Sequence, residues 1–317
     1  MAIDRPETSS VSLAISGETT DSFLRDVAAV TEAPSVAFPV LPFEAGQTVA
    51  GRFVIERRAG GGGMGTVYRA LDLSTGKAAA VKVIATQSRS VAQRFRREAV
   101  VLAELRHPRI VRYLSHGLTV DGLPFLAMDW LEGEDLSVRL ARSGFDARES
   151  LSLVRRASEG LAVAHAQGVV HRDVKPSNLF LVDCDPTQIQ VIDFGVAHVD
   201  QGTGAFTRPG TVIGTAGYMA PEQVTGATDV DARADVYSLG CVLFECLTGR
   251  PPWVGGFGAL LVQVLREEPP RPSTLRPDLS EEADLLLARL LAKDRERRPR
   301  DAGHLLGVLD AAGALVR

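Results

Sequence analysis

The chain has 317 residues, of which 45% are hydrophobic and 23% charged, with a net charge of −4; this is a globular composition long enough for one large domain or two lobes. The mild acidity excludes a global basic field for nucleic acid. Three cysteines and six histidines follow no metal-ligand spacing, which argues against a zinc site, and Cys184, Cys241 and Cys246 read as small buried hydrophobes in a reducing compartment.

In chain order, residues 1–48 are rich in Ser, Thr, Ala, Glu and Pro with weak periodicity, which predicts a disordered tail with a short helix near 21–30. No signal-peptide pattern opens it. From Arg52 the texture changes: "RFVIERRA", "GTVYRALD" and "KAAAVKVI" read as three successive strands, the first two separated by a run of glycines. A helical segment over 90–106 stops at His107-Pro108. Two more apolar segments, 110–114 and 124–131, complete a sheet. Helices then dominate, at 135–142, 148–167, 231–248, 257–267, 280–292 and 301–312. The most apolar run, "VYSLGCVLFECL" (236–247), has the length of a core helix and not of a membrane span. Strands first and helices later predict an α+β, bilobal fold: an N-lobe over 49–132 with an antiparallel sheet and one helix, and a mainly helical C-lobe over 133–315, meeting near residues 129–135.

Three places carry chemistry. Gly60, Gly62 and Gly65 fit G-x-G-x-x-G, where glycines let backbone approach a phosphate. Thr66, Val67 and Tyr68 after it are strand formers, so the loop joins two strands and a dinucleotide site, which needs a helix there, is disfavoured. Lys82 sits in an apolar strand, sharing one face with Ala80 and Ile84 while Val81 and Val83 take the other. It lies either at an exposed edge or beside an acid; Glu98, on the Phe95–Leu102–Leu105 stripe of the following helix, is the candidate. Finally, "VVHRDVKPSNLFLV" (169–182) sets polar residues between apolar runs, followed by a predicted hairpin ending at Asp193-Phe194-Gly195. Asp173, Asn178 and Asp193 would supply oxygen ligands of the kind Mg²⁺ takes together with substrate phosphates. A glycine loop, a lysine, Mg²⁺ and an acid free to receive a hydroxyl proton make a phosphoryl-transfer site.

From about Arg52 to about Leu309 the chain resembles the protein kinase family. The matching residues are Gly60, Gly62, Gly65 and Val67; Ala80-Val81-Lys82; Glu98; His171-Arg172-Asp173; Asn178; Asp193-Phe194-Gly195; and Ala220-Pro221-Glu222. Asp235 resembles the buried aspartate that braces the catalytic loop, and Arg298 the arginine paired to the Glu222 position. The wording "GGMGTVY" is most similar to the bacterial branch of eukaryotic-like serine/threonine kinases.

The resemblance implies roles. Asp173 would orient the acceptor hydroxyl and accept its proton, Lys175 would neutralise charge on the moving γ-phosphoryl, and Asn178 and Asp193 would hold Mg²⁺. The ATP site would comprise the loop Ala59, Gly60, Gly61, Gly62, Gly63, Met64, Gly65 and Thr66, with Val67 and Ala80 over the base. Lys82, held by Glu98, would take the α- and β-phosphates; Met128 would control access behind adenine, and the backbones of Asp129 and Leu131 would meet its edge. Lys175 two residues after Asp173, with Thr215 in "GTAGYMAPE", is the serine/threonine form. Arg172 beside Asp173 implies control by phosphate on the segment 196–213, at Thr207 or Thr211, with Thr203 a further hydroxyl there. Expected partners are Ser/Thr-bearing proteins, ATP and a second copy, as a homodimer for autophosphorylation; nucleic acid is not expected, and the expected location is cytoplasmic. Two alternatives share the fold. A silent scaffold would lack one of Lys82, Asp173 or Asp193, and a small-molecule phosphotransferase would lack Ala220-Pro221-Glu222. Ala59 departs from the aliphatic residue usual before the first glycine, and Val174 from the commoner leucine. "RFRRE" (94–98), "KDRERRPR" (293–300), Trp130 and Trp253 read as solvated or packing features.

Overall fold

The computed structural model describes residues 43–62, 65–84, 86, 89–194 and 216–313. Strands β1 (Thr48–Val49), β2 (Phe53–Gly62), β3 (Gly65–Asp72), β4 (Lys77–Ile84), β5 (Tyr113–Leu118) and β6 (Pro124–Asp129) form an antiparallel sheet in the order β1-β2-β3-β4-β6-β5. Helix α1 (Arg89–Glu104) enters between β4 and β5 and packs on β5. Alternation along β4 sends Ala79, Val81 and Val83 to one side, where they join Val49, Phe53, Ile55, Tyr68, Ala70, Phe125 and Ala127 in a small core. The other side faces the rest of the molecule.

Residues 43–48, assigned by composition to the tail, instead close on this sheet. The Phe43 ring meets Tyr68 edge-on at 5.8 Å, its N–H donates to the Tyr68 hydroxyl at 3.1 Å, and Gly46 N–H donates to the Ile55 carbonyl. One apolar ring outweighs the polar texture around it. The helix expected near 21–30 lies outside the described residues.

Beyond the sheet, a short strand β7 (Gly133–Asp135) leads into α2 (Leu136–Arg142) and α3 (Ala147–Ala166), the latter opened by a capping box between Asp146 and Glu149. The hairpin β8 (Leu179–Val182) and β9 (Ile189–Val191) forms as expected, and β7 adds to it as a third strand. Then come α4 (Pro221–Val224), α5 (Ala232–Thr248), α6 (Phe257–Arg266), α7 (Pro272–Leu275), α8 (Glu281–Leu290) and α9 (Ala302–Gly313). Helix α5 is apolar nearly all round because it runs through the core, with α3, α8 and α9 packed on it. Cys241 and Cys246 are buried on it, whereas Cys184 is exposed in the β8–β9 turn, where polar neighbours leave no core to enter. Among the described residues no helix is long and apolar enough to cross a membrane.

Candidate active site

The glycine loop is a hairpin. Gly62 pairs with Gly65 and Gly60 with Val67 across β2 and β3, so the strand-to-helix turn of a dinucleotide site does not form. Gly65 has φ +152°, and a Cβ there would lie 2.2 Å from the Val83 carbonyl oxygen, so glycine alone lets β3 run this close to β4. Ala59, Gly60 and Gly61 are exposed along β2 and Thr66 is buried; Gly63 and Met64 lie outside the described residues.

Register then assembles one face. Val67 lies opposite Lys82, Lys82 opposite Leu126, and Ala80 opposite Met128; directly opposite residues project to the same side. Val67, Ala80, Lys82 and Met128 therefore share the side away from the small core. Leu131 is half-buried against the large core. Asp129 gives its N–H to the Arg112 carbonyl at 2.9 Å and its carboxylate to the Arg112 guanidinium.

Trp130 packs, as expected, but between charges. The guanidiniums of Arg57 and Arg69, which oppose each other in register, lie 5.4 and 5.5 Å from its ring, and its indole N–H donates to Glu132 at 2.8 Å. The π-face and the Arg69–Glu56 ion pair offset two like charges held side by side. Trp253 is buried, with its N–H on the Tyr237 hydroxyl.

Lys82 is not at an edge, because β4 lies between β3 and β6. It is paired, its ammonium 2.9 Å from Asp193, an acid that the resemblance had assigned to the metal. Glu98 is half-buried on α1, on the side that carries buried Phe95, Leu102 and Leu105.

The catalytic loop is held by Asp235, wholly buried on α5. Its carboxylate accepts the His171 N–H at 2.7 Å, the Arg172 N–H at 2.7 Å and His165 Nε2 at 2.8 Å. Burial pushes this carboxyl up, but the hydrogen bond and charge of His165 and the pull of His171 outweigh it, leaving it below its ordinary value. His171 is also buried, which holds its imidazole below the usual value despite nearby Asp235. Its ring meets the Ile192 carbonyl through Nε2 at 3.0 Å and accepts the Asp173 N–H at Nδ1; a neutral ring with its proton on Nε2 satisfies both. Phe194 is buried against it, ring centroids 4.6 Å apart.

Asp173 Oδ2 accepts from Lys175 Nζ at 2.9 Å and from Asn178 Nδ2 at 3.0 Å, and the same amide nitrogen donates to the Asp173 carbonyl at 2.7 Å. Ile192 ties the loop to the Asp193 segment, its N–H on the Asn178 carbonyl and its carbonyl on His171. Asp173, Asn178 and Asp193 are thereby brought to one place, with Lys82 arriving from the sheet. Two carboxylates and an amide oxygen are the hard donors a magnesium ion takes, and Asn178, having committed its nitrogen, presents Oδ1. The set fits Mg²⁺.

Glu222 and Arg298 form the expected pair, bidentate at 2.7 and 3.0 Å and buried. Sequence reading missed Gln223, whose amide donates to the Arg172 carbonyl at 2.8 Å. A lone glutamine in a four-residue helix carries no periodicity or charge that could have flagged it. Gly195, Thr203, Thr207, Thr211 and Thr215 lie outside the described residues.

The sequence matches the protein kinase domain over residues 53–306. It is 38% identical over 268 residues to serine/threonine-protein kinase PknB of Mycolicibacterium smegmatis, covering 82% of this chain and 42% of that protein. It is 36% identical over 279 residues to serine/threonine-protein kinase pkn3 of Myxococcus xanthus, covering 84% and 51%. The fold is similar to the Mycobacterium tuberculosis PknI kinase domain, with a TM-score of 0.69, 29% identity and coverage of 86% of this chain and 100% of that one. The chain spans about half the length of the curated relatives it matches.

Proposed function

This chain belongs to the protein kinase family, and we propose that it is a serine/threonine protein kinase, transferring the γ-phosphoryl group of ATP to Ser or Thr hydroxyls of proteins. The observation that carries this reading is the meeting of Asp173, Lys175 and Asn178 with the Asp193–Lys82 pair at one mouth.

Asp173, steadied by Lys175 and Asn178, orients the acceptor hydroxyl and takes its proton as the oxygen attacks phosphorus. Lys175 lies beside that carboxylate and offsets negative charge on the transferring group. Lys82 exchanges Asp193 for the α- and β-phosphates, with Glu98 holding its ammonium. The hairpin Ala59–Thr66 covers the phosphates with backbone; Val67 and Ala80 lie over adenine, Met128 closes the space behind it, and Asp129 and Leu131 meet its edge. Asn178 and Asp193 would hold Mg²⁺, which would supply positive charge to offset that of the phosphates. Lys175 and the described end of the "GTAGYMAPE" segment support serine and threonine as acceptors. Autophosphorylation at Thr207 or Thr211, between two copies of the chain, is the expected means of activation.

The test is transfer of labelled γ-phosphate from ATP to a generic protein substrate. Asp173→Asn lowers kcat by about 10²–10⁴-fold with an unchanged melting temperature, and label appears on serine or threonine. Equal transfer by wild type and variant overturns the assignment.

A further inference from the structure

We propose that Gln223 is a positioning residue for the catalytic loop, holding the peptide group that leads into Asp173. The inference rests on the kinase reading for its activity readouts and on geometry for the rest. Arg172 adopts φ +66°, a left-handed conformation that a side-chain-bearing residue keeps only when its surroundings impose it. Three side chains impose it here. On the N-terminal side, Asp235 Oδ1 accepts the Arg172 N–H at 2.7 Å. On the C-terminal side, Gln223 Nε2 donates to the Arg172 carbonyl at 2.8 Å, and His171 Nδ1 accepts the N–H of the same peptide at 3.2 Å. The peptide planes on both flanks are thus held, which sets φ and ψ of Arg172 and so the direction in which the chain enters Asp173.

The orientation of the glutamine is itself determined. Its Oε1 accepts the Ala220 N–H at 3.0 Å, so its NH₂ must be the end that faces the Arg172 carbonyl. Helix α4 is anchored one residue earlier, where Glu222 is locked by the buried Arg298 guanidinium. The tether therefore runs from a rigid base to the carbonyl of the Arg172–Asp173 peptide, which Asp235 does not reach. A carboxylate misplaced by an ångström loses much of its advantage in proton transfer, while nucleotide contacts on the other side of the cleft are untouched.

Three variants separate this from simple packing. Gln223→Met keeps the length but has no donor; Gln223→Glu keeps the acceptor for Ala220 and donates only when protonated; Gln223→Ala removes both. Expected for Gln223→Met is a kcat about 10- to 100-fold lower, with the KM for ATP within about twofold and exchange protection lost at the amides of residues 171–174. For Gln223→Glu, whose carboxyl is ionised near pH 8 and sets an acceptor against the Arg172 carbonyl, kcat is at least as low as for Gln223→Met. Wild-type kcat in Gln223→Met, or in Gln223→Glu near pH 8, overturns the proposal. Hydrogen exchange needs no activity: unchanged protection at 171–174 in folded Gln223→Met also overturns it. Absence of phosphate transfer by wild type sinks the kinase reading and leaves the exchange result to judge the tether.

Discussion

On the catalytic-loop side of the cleft, backbone is fastened by side chains: Asp235 takes two successive N–H groups, His171 bridges Ile192 and Asp173, and Asn178 grips the Asp173 carbonyl. On the nucleotide side, backbone is fastened by backbone, through the ladder of β2, β3 and β4 and through the missing side chain at Gly65. A loop held by side chains can keep residues such as Arg172 and Asp193 at positive φ, because several hydrogen bonds oppose relaxation. A hairpin held by register has no such reserve and depends on what its residues lack. The first arrangement suits a carboxylate that must not move; the second suits a hairpin in which strand lies close to strand.

Removing the hub on the first side has the largest expected effect. In Asp235→Asn the side chain keeps one acceptor oxygen and turns an NH₂ toward groups that are themselves donors. Leaving buried N–H groups unsatisfied costs about 3 kcal/mol, a fall of roughly 10 °C in melting temperature, and kcat falls with it because His171 and Arg172 lose their anchor. Differential scanning calorimetry beside the transfer assay checks both; a variant that melts as wild type does would mean the loop is held elsewhere.

Gly65→Ala probes the other side. Its Cβ meets the Val83 carbonyl at 2.2 Å in a backbone conformation alanine resists, costing about 1–3 kcal/mol. The strain is local, so the ATP KM rises about tenfold while kcat moves by about threefold or less. Loss of kcat at constant KM would contradict the division between the two sides.

That division also explains what could be read without coordinates. Gly65, Lys82, Asp173 and Asp193 are legible because a glycine, a charge in an apolar strand, or an acid between apolar runs is locally out of place. The same logic required an acid for Lys82 and pointed to Glu98; that Asp193 also lies 2.9 Å from its ammonium is set by the fold, with no local signal in the sequence. Gln223 and β7 were invisible for a further reason. Gln223 acts on a carbonyl far back in the chain, and Gly-Glu-Asp has no strand propensity; β7 exists because Gly133, at φ +135°, passes where a Cβ would lie 2.1 Å from the Leu181 carbonyl. The tail boundary shifted because a single residue, Phe43, found a ring to pack on.

Acid separates the two sides with the smallest effect. Burial holds His171 below its ordinary value of 6.5, so below that pH the unfolded chain takes up a proton that the folded chain refuses, and stability falls. Asp235 sits below its ordinary 3.8, and its contribution is lost only as pH drops past that value. On the sheet side the buried acid is Asp72, driven far down chiefly by its hydrogen bonds with Arg52, against the burial that raises it. Its stabilisation is intact at 3.8 and above and disappears below. Between pH 6.5 and about 4, then, the loop around His171 weakens while the Arg52–Asp72 anchor does not. Exchange protection, referenced to unfolded rates at each pH, should decline first in residues 165–175 and hold in residues 52–72. Protection lost first in the sheet would show that the buried imidazole is not what acid attacks, and the contrast between a side-chain-held loop and a backbone-held hairpin would then have to rest on Asp235 and Gly65 alone.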